Sequence, residues 1–347
     1  MKSVRIMKPG EVLLRQEPLP VPAAGEVIIR PKRIGICGTD NNIYNGEFSE
    51  RVNFPLRPGH EWSGVIESVG EGVVGYAPGD RVMGDTAVSC GICEKCVSGR
   101  KYECTAVRAV GTVDAYPGAM SELFAFPARD LLKIPDGVDF DMAALVEPTA
   151  NAIMAMEDVP VRPGMSVAVM GTGPIGLAAI ALARAYGAYP IISVGRKEQK
   201  LDVAKKLGAT HTVNTDEEDP AAEIKRITNG GADVVIELSG AKSLFFAAAN
   251  AVKAHGTIEL LGFYDSPFEV NMNDFIFNNI TLRTAGGGWG GYFDKVLKLM
   301  STGALNSLKL LITHRCTLDE AAENIAELKM NNAQKIKVMI TLDDKVK

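Results

Sequence analysis

The chain has 347 residues, of which 46% are hydrophobic and 23% are charged, and its formal net charge is −5. This composition excludes a disordered chain and leaves room for two domains, while the acidic balance offers no electrostatic footprint for nucleic acid or an anionic membrane. The opening residues, MKSVRIMKPGEVLLRQE, contain no apolar segment of the secretory type, and no apolar run is long enough to span a bilayer. We therefore expect a cytoplasmic protein that acts on a small molecule, with no nucleic-acid or membrane partner.

The first 150 residues are rich in proline, in glycine turns and in short β-prone runs. Strands are predicted at 27–34, 62–69, 81–83 and 123–126. Turns such as Pro78-Gly79-Asp80 separate them. The pattern predicts an irregular, mainly antiparallel β domain over residues 1–150.

A cysteine-rich segment interrupts this domain. Its four cysteines have the spacing C-x2-C-x2-C-x7-C and are Cys90, Cys93, Cys96 and Cys104. Four thiolates that surround one tetrahedral ion form a closed, structural zinc site. Disulfides are the alternative, but cysteines this close along the chain pair poorly, and no export signal is present. We expect a structural zinc lobe over about residues 85–110.

A second group of possible metal ligands is spread along the same domain. Cys37 lies in GICGTD, His60 and Glu61 lie in GHEWSG, and Glu147 precedes Pro148. A thiolate, an imidazole and one or two carboxylates can form a zinc site with a position open for substrate. Singly, these residues could also be a buried apolar cysteine, a core histidine and a carboxylate at a helix start.

From about residue 161 the pattern becomes strand–helix–strand. Strands are predicted at 166–170, 189–194, 211–214, 233–237, 257–261 and 280–284. Six strands alternating with helices are typical of a doubly wound parallel sheet, here over residues 151–285. The predicted fold class is therefore α/β, a six-stranded Rossmann domain joined to the mainly β domain.

The first strand of this region leads into a glycine turn and a helix over 177–186 that ends at Gly187. The turn consists of Gly171, Thr172, Gly173, Pro174, Ile175 and Gly176. In a GxGxxG turn the first glycine permits the bend, the second admits a pyrophosphate, and the third allows close packing of helix and strand. The pyrophosphate then binds the free N–H groups of the helix N-terminus. This turn predicts a dinucleotide cofactor.

The end of the second strand indicates which cofactor. An NAD site usually carries an acidic residue here to bind the ribose hydroxyls, whereas this chain has Gly195, Arg196 and Lys197, with Lys200 one turn later. A guanidinium suits the oxygens of a 2′-phosphate. The segment could alternatively be a solvated helix start. We expect NADP rather than NAD.

The C-terminal region begins with the glycine-rich stretch 285–291. A helix is predicted at 292–301, a second from the capping box Thr317–Glu320 to about residue 330, and a last strand at 336–342. We expect residues 286–347 to return to the first domain.

Taken together, these motifs resemble those of the zinc-dependent medium-chain alcohol and polyol dehydrogenases. The match follows the family order over nearly the whole chain, through GICGTD, GHEWSG, GDRV, the four-cysteine lobe, EP, GTGPIG and KIKVMI. GHE followed by EP is similar to the sorbitol and polyol-phosphate dehydrogenase branch. The resemblance implies a GroES-like catalytic domain beside the Rossmann domain, and a homodimer or homotetramer.

The resemblance also implies a catalytic zinc ion bound by Cys37, His60 and Glu61, with water as the fourth ligand. Glu147 matches a carboxylate that binds the metal or holds its water. With the structural ion this makes two zinc ions per chain.

Thr39 matches the residue that accepts the proton of the substrate hydroxyl and relays it through the cofactor ribose. Asn42 stands where the family commonly has a histidine, so the outer part of the proton path differs. We expect Asp40 to brace the turn at Cys37 or a neighbouring ligand, and Trp62 either to line the cleft or to fill the core.

The implied activity is reversible oxidation of a secondary hydroxyl of a polyol or polyol phosphate to the ketone, with NADP. The alternatives are a reductase of simple ketones or aldehydes, an L-threonine 3-dehydrogenase-like enzyme, and a non-enzymatic redox sensor that binds a dinucleotide.

Overall fold

The computed structural model describes residues 1–157, 159, 161–286, 291–328 and 334–342. The chain forms two compact units: the first comprises Met1–Glu147, Phe293–Ser301 and Ile312–Lys347, and the second comprises Pro148–Tyr292 and Thr302–Leu311. By this division the described residues 286, 291–292 and 302–311 group with the second unit, whereas the sequence analysis expects residues 286–347 to return to the first domain.

The first unit starts with an antiparallel hairpin and continues as a larger sheet. Its strands before residue 140 are β1 (Lys2–Lys8), β2 (Glu11–Gln16), β3 (Glu26–Ile36), β4 (Glu61–Val69), β5 (Arg81–Gly84), β6 (Ala87–Val88), β7 (Arg108–Ala109), β8 (Phe124–Pro127) and β9 (Leu131–Lys133). Its short helices are α1 (Gly38–Tyr44), α2 (Glu94–Val97) and α3 (Phe140–Ala144). The four strands predicted in this region correspond to β3, β4, β5 and β8.

The second unit is a six-stranded parallel sheet with the order β12-β11-β10-β13-β14-β15. The strands are β10 (Val167–Met170), β11 (Ile191–Gly195), β12 (His211–Asn214), β13 (Ala232–Glu237), β14 (Val252–Leu260) and β15 (Thr281–Thr284). The helices between residues 146 and 278 are α4 (Val146–Glu157), α5 (Pro174–Ala185), α6 (Glu198–Leu207), α7 (Pro220–Thr228), α8 (Lys242–Ala251) and α9 (Asn273–Asn278). This is the doubly wound order of a Rossmann sheet, so the predicted fold class is confirmed.

Local sequence accounts for these elements. β10 and β11 are buried along their whole length and are apolar except for Ser193, as expected for strands covered on both faces. Pro174 begins α5, and Gly187, at φ 77°, follows its end in the left-handed conformation that favours glycine. β14 starts five residues before its predicted start because its pairing with β13 continues through a register shift.

The C-terminal elements are α10 (Phe293–Ser301), β16 (Ile312–Cys316), α11 (Ala321–Glu327) and β17 (Lys337–Thr341). β17 pairs antiparallel with β3, and the main sheet has the order β16-β17-β3-β4-β5-β9. The predicted capping box is present in part, since the Glu320 carboxylate accepts hydrogen bonds from the backbone N–H and hydroxyl of Thr317, but residues 318–320 form a turn and α11 begins only at Ala321. The predicted end of this helix, and residues 287–290 of the glycine-rich stretch, lie outside the described residues.

Aromatic side chains form the centre of the first unit. The Trp62 ring is 1% exposed and packs edge-on against Phe124 and Phe126, with centroids 4.9 and 5.3 Å away. Trp62 therefore fills the core rather than lining a cleft. Among the described helices, none has the length and apolar character needed to cross a membrane.

Candidate active site

Cys37 lies at the junction between a strand and a helix. It follows the end of β3 directly and is the N-cap of α1, where its backbone N–H donates to Asp40 Oδ2 at 2.8 Å. This bond confirms that Asp40 braces the Cys37 turn. One residue into the helix, Thr39 Oγ1 lies 3.7 Å from Cys37 Sγ. The turn thus holds a thiol and a hydroxyl side by side.

His60 and Glu61 reach this thiol from the neighbouring strand. Glu61 opens β4 and stands opposite Gly35 in the antiparallel pairing with β3. A Cβ at Gly35 would lie only 3.1 Å from Glu61 Cβ, so the missing side chain leaves the space that Glu61 occupies. As a result, Cys37 Sγ, a His60 ring nitrogen and a Glu61 oxygen all lie within 4.8 Å of one another. Sequence analysis selected these three residues, and the strand register brings them together.

The surroundings of this group favour a cation. His60 is 7% exposed, and burial opposes a charge on its ring, but Cys37 and Asp40 outweigh burial and raise the imidazole pKa well above its ordinary value. Asp40 Oδ1 and His60 Nδ1, which lie 3.9 Å apart, are both buried and form no hydrogen bond within the described chain. A half-buried thiol beside a buried imidazole and a buried carboxylate fits a zinc ion with three protein ligands and one open position.

Lys337 is a member of this site that sequence analysis missed. It begins β17, and its Nζ lies 2.6 Å from both carboxylate oxygens of Glu61 and 3.3 Å from the Ile36 carbonyl oxygen. The side chains are 2% and 1% exposed. Burial lowers the pKa of this ammonium, but Glu61 and Cys37 more than offset burial and raise it. The sequence did contain a signal for this ion pair: a lysine begins the apolar run KVMIT, and a buried lysine almost always has a partner.

Glu147 lies at the edge of the same site. It is in the first turn of α4 and is 9% exposed, and its charge contributes to the raised pKa of His60 and Lys337. Glu147 is not a member of the compact donor group found among the described residues. Its part in metal binding stays a prediction.

The four lobe cysteines also converge. Their sulfur atoms lie within 4.8 Å of one another, with Cys90 and Cys96 3.8 Å apart and Cys93 and Cys96 3.5 Å apart. Tetrahedral Zn–S bonds of ~2.3 Å place sulfurs about 3.8 Å apart, whereas a disulfide needs ~2.05 Å. Backbone N–H groups of Ile92 and Cys93 donate to Cys90 and lower its pKa to about 6. The residues present fit a closed zinc site, and no third donor group occurs in the described ranges.

The lobe is attached to the body of the first unit by polar contacts. Lys101 Nζ lies 2.7 Å from Asp85 and 3.0 Å from Asp130, and the Tyr102 hydroxyl donates to Asp85 at 2.6 Å. Both carboxylates are buried. The contact with Asp130 ties the lobe to the rest of the first unit, whereas the contacts with Asp85 join the two ends of the lobe itself.

In the second unit, the glycine turn has the geometry of a dinucleotide cradle. Gly171 has a φ of 115°, and a Cβ on Gly176 would collide with the Gly171 carbonyl oxygen. Gly173 is the N-cap of α5, and the space where its Cβ would lie is open. Pro174 and Ile175 then begin the helix, whose free N–H groups point out of the turn. The turn can therefore accept a pyrophosphate at the helix N-terminus.

The carboxyl end of β11 is basic. Gly195 ends the strand, Arg196 is exposed, and Lys197 is the N-cap of α6. Lys200 is buried on the same helix, where burial and the nearby Lys197 lower its pKa. The first acidic residue after the strand, Glu198, lies 3.4 Å from Lys205. This end of the sheet thus favours an anion.

Comparisons with known proteins agree with both units. The alcohol dehydrogenase GroES-like domain family matches residues 23–136, and the zinc-binding dehydrogenase family matches residues 174–302. The chain is 34% identical to L-threonine 3-dehydrogenase of Bacillus licheniformis, over 97% of this chain and 98% of that protein.

Two solved structures are similar over nearly the whole chain. One, from Sinorhizobium meliloti 1021, is described as a zinc-binding dehydrogenase bound to NADP; it is 30% identical, with a TM-score of 0.89 over 98% of this chain and 99% of its own. The other, from Escherichia coli CFT073, is named a short chain alcohol dehydrogenase and is complexed with NADH. It is 31% identical, with a TM-score of 0.89 over 99% of each chain.

Proposed function

Because the chain belongs to the zinc-dependent medium-chain alcohol dehydrogenase family, we propose that it oxidises the secondary hydroxyl of L-threonine, or of a close analogue, to the ketone. The family makes it an NAD(P)-dependent dehydrogenase. The observation that carries the proposal is the compact group of Cys37, His60 and Glu61 in a chain whose similarity to an L-threonine 3-dehydrogenase extends over its whole length.

Cys37, His60 and Glu61 bind the catalytic zinc ion, and Glu147 either joins them or orients a water molecule in the site. A zinc ion here supplies Lewis acidity, which lowers the pKa of a substrate hydroxyl. The four cysteines of the lobe bind a second, structural ion. The support for both assignments is the convergence of the donor atoms and the chemistry of each set.

Thr39 is the residue that takes the hydroxyl proton, because its oxygen lies beside Cys37 at the start of α1. Asn42, on the same helix, is an amide and cannot accept a proton at neutral pH. The proton therefore leaves by a route without a side-chain base at position 42. A dinucleotide bound at the glycine turn would supply the hydride acceptor.

NADP is proposed as the preferred cofactor. Arg196 and Lys197 follow β11 where an NAD-binding protein would carry a carboxylate, and Lys200 adds a third positive charge to the same end of the sheet. Each of these groups favours the 2′-phosphate of NADP. Gly171, Gly173, Pro174, Ile175 and Gly176 hold the pyrophosphate.

A polyol or polyol phosphate is the second candidate substrate. It is supported by the sequence of GHE at 59–61 followed by EP at 147–148. L-threonine ranks first because the whole-length relative carries that activity in its name.

We also propose a homodimer or homotetramer in the cytoplasm. β15 is an edge of the described six-stranded sheet, and its four residues are exposed. An exposed edge strand offers unpaired backbone groups to a second copy of the chain.

The test is a panel of initial oxidation rates on zinc-loaded enzyme, with NADP⁺ and NAD⁺ each paired with L-threonine, polyols, polyol phosphates and simple secondary alcohols. We expect the highest kcat/KM with L-threonine and NADP⁺. Turnover only of a polyol or its phosphate would replace the substrate and keep the mechanism. No turnover with any member, by protein that contains zinc and binds NADP⁺, would overturn the enzymatic proposal in favour of a redox sensor.

A further inference from the structure

The ion pair between Lys337 and Glu61 joins the last strand to the candidate metal site. All three protons of the Lys337 ammonium have acceptors: two Glu61 oxygens at 2.6 Å and the Ile36 carbonyl at 3.3 Å. Ile36 is the residue before Cys37. The pairing of Val338 with Ile36 of β3 and the pairing of Lys337 with Ile312 of β16 fix the backbone of Lys337 at this place.

In this arrangement the Glu61 carboxylate faces two positive charges, the Lys337 ammonium and a metal ion bound at the candidate site. One of its oxygens lies within 4.8 Å of Cys37 Sγ and of a His60 ring nitrogen, so the carboxylate faces the place where a metal ion would bind. Both of its oxygens also accept hydrogen bonds from Lys337. The Lys337 ammonium offsets part of the negative charge of the Glu61 carboxylate and so weakens the attraction of Glu61 for a metal ion. The effect is large because buried ions attract strongly and are weakly screened.

We propose that Lys337 is a positioning residue of the metal site, whose ammonium holds Glu61 and makes it a weaker, more readily exchanged metal ligand. The proposal rests on the function proposed above, in that it requires a metal ion at Cys37, His60 and Glu61. Cys37 and His60 would then be the stronger donors toward a bound ion, and Glu61 the weaker one. The residue belongs to the C-terminal strand, so that strand is part of the site rather than only part of the sheet.

The experiment measures the rate at which zinc leaves the site. Zinc-loaded wild-type enzyme and the variants Lys337→Met, Lys337→Gln and Lys337→Arg are mixed with a chromophoric chelator. The phase that belongs to this site is identified by its absence in Cys37→Ser. Without the ammonium, the Glu61 charge is directed to the metal alone, and we expect release to slow about tenfold in Lys337→Met and Lys337→Gln. Lys337→Arg retains the charge and should release zinc at nearly the wild-type rate.

Two controls separate positioning from packing. Lys133→Met removes an ammonium from an exposed ion pair with Asp80 and should leave the release rate unchanged. In a Glu61→Gln background, Lys337→Met should no longer slow release, because the carboxylate charge that it acts on is gone.

Release that is unchanged or faster in both neutral variants would overturn the proposal, as would equal slowing in the Glu61→Gln background. Lys337→Gln keeps the test decisive if Lys337→Met does not fold. Metal analysis that finds no zinc lost in Cys37→Ser would instead overturn the proposed metal site itself.

Discussion

Arg196 is the residue that we propose selects NADP over NAD. It follows Gly195 at the carboxyl end of β11, and no carboxylate ends that strand. In Arg196→Ala we expect the KM for NADP⁺ to rise about 10- to 100-fold, since a charge-assisted bond to the 2′-phosphate is lost. The KM for NAD⁺ should change less than about threefold, because NAD⁺ has no such phosphate. Steady-state kinetics with both cofactors measure the difference.

Arg226→Ala is the matched control for this substitution. Arg226 is an exposed arginine on α7 of the same unit, paired with Glu223 at the surface. Arg226→Ala should leave the KM values for NADP⁺ and NAD⁺ at the wild-type level. If Arg196→Ala raised the KM values for NADP⁺ and NAD⁺ equally, Arg196 would not be the residue that binds the 2′-phosphate.

At the scale of elements, we expect the shape of the cysteine lobe to depend on a bound metal ion more than on burial. It contains the four-residue helix α2 and a short 3-10 turn, and its apolar residues Ile92 and Val97 are 85% and 72% exposed. A segment with so little core needs a covalent or metal crosslink to hold one shape. Cys93→Ser should lose one zinc ion per chain and become more sensitive to protease in the lobe.

Elemental analysis and limited proteolysis check this expectation. Cys316→Ser changes a buried cysteine outside both donor groups, so its zinc content should equal that of the wild type. The contact of Lys101 with the buried Asp130 should keep this part of the lobe attached to the rest of the first unit in Cys93→Ser. Full zinc content in Cys93→Ser would show that the lobe is not a metal site.

At the scale of the whole molecule, pH acts on ion pairs that connect distant segments. Asp141 in α3 accepts hydrogen bonds from Arg33 of β3 at 2.7 Å and from Arg315 of β16 at 2.6 Å. Burial would raise the pKa of Asp141, but Arg315 and Arg33 outweigh burial and hold it below its usual value. A lowered pKa in the folded state means that the stabilisation is complete at neutral pH and is lost as the pH falls below about 4.

Asp141→Asn should therefore lower the free energy of unfolding at pH 7 by about 1–3 kcal/mol. The difference from the wild type should shrink as the pH approaches 3, because protonation removes the same charge from the wild-type protein. Urea denaturation at several pH values measures this. Asp294→Asn, in an exposed pair with Lys298, should have little effect. A stability difference that stays constant with pH would contradict the account.

The sequence by itself determined the parts of this protein whose signals are local in the chain. Three kinds of signal are local: the glycine turn at 171–176, the cysteine spacing at 90–104 and each of the six β-prone runs. The residues of each one are close together in the chain, so its geometry follows from backbone preferences and short-range packing. Cys37, His60 and Glu61 were identified as candidate donors because their residue types are those that zinc prefers and their motifs resemble those of the family.

Only the tertiary structure decided how distant segments meet. β17 pairs with β3 across most of the chain length, and this pairing alone places Lys337 against Glu61. Trp62, adjacent to Glu61 in sequence, points into the aromatic core because neighbouring residues of a strand face opposite sides. Such contacts arise from strand order and register, which depend on the burial of a whole sheet and leave no short-range signal in the chain.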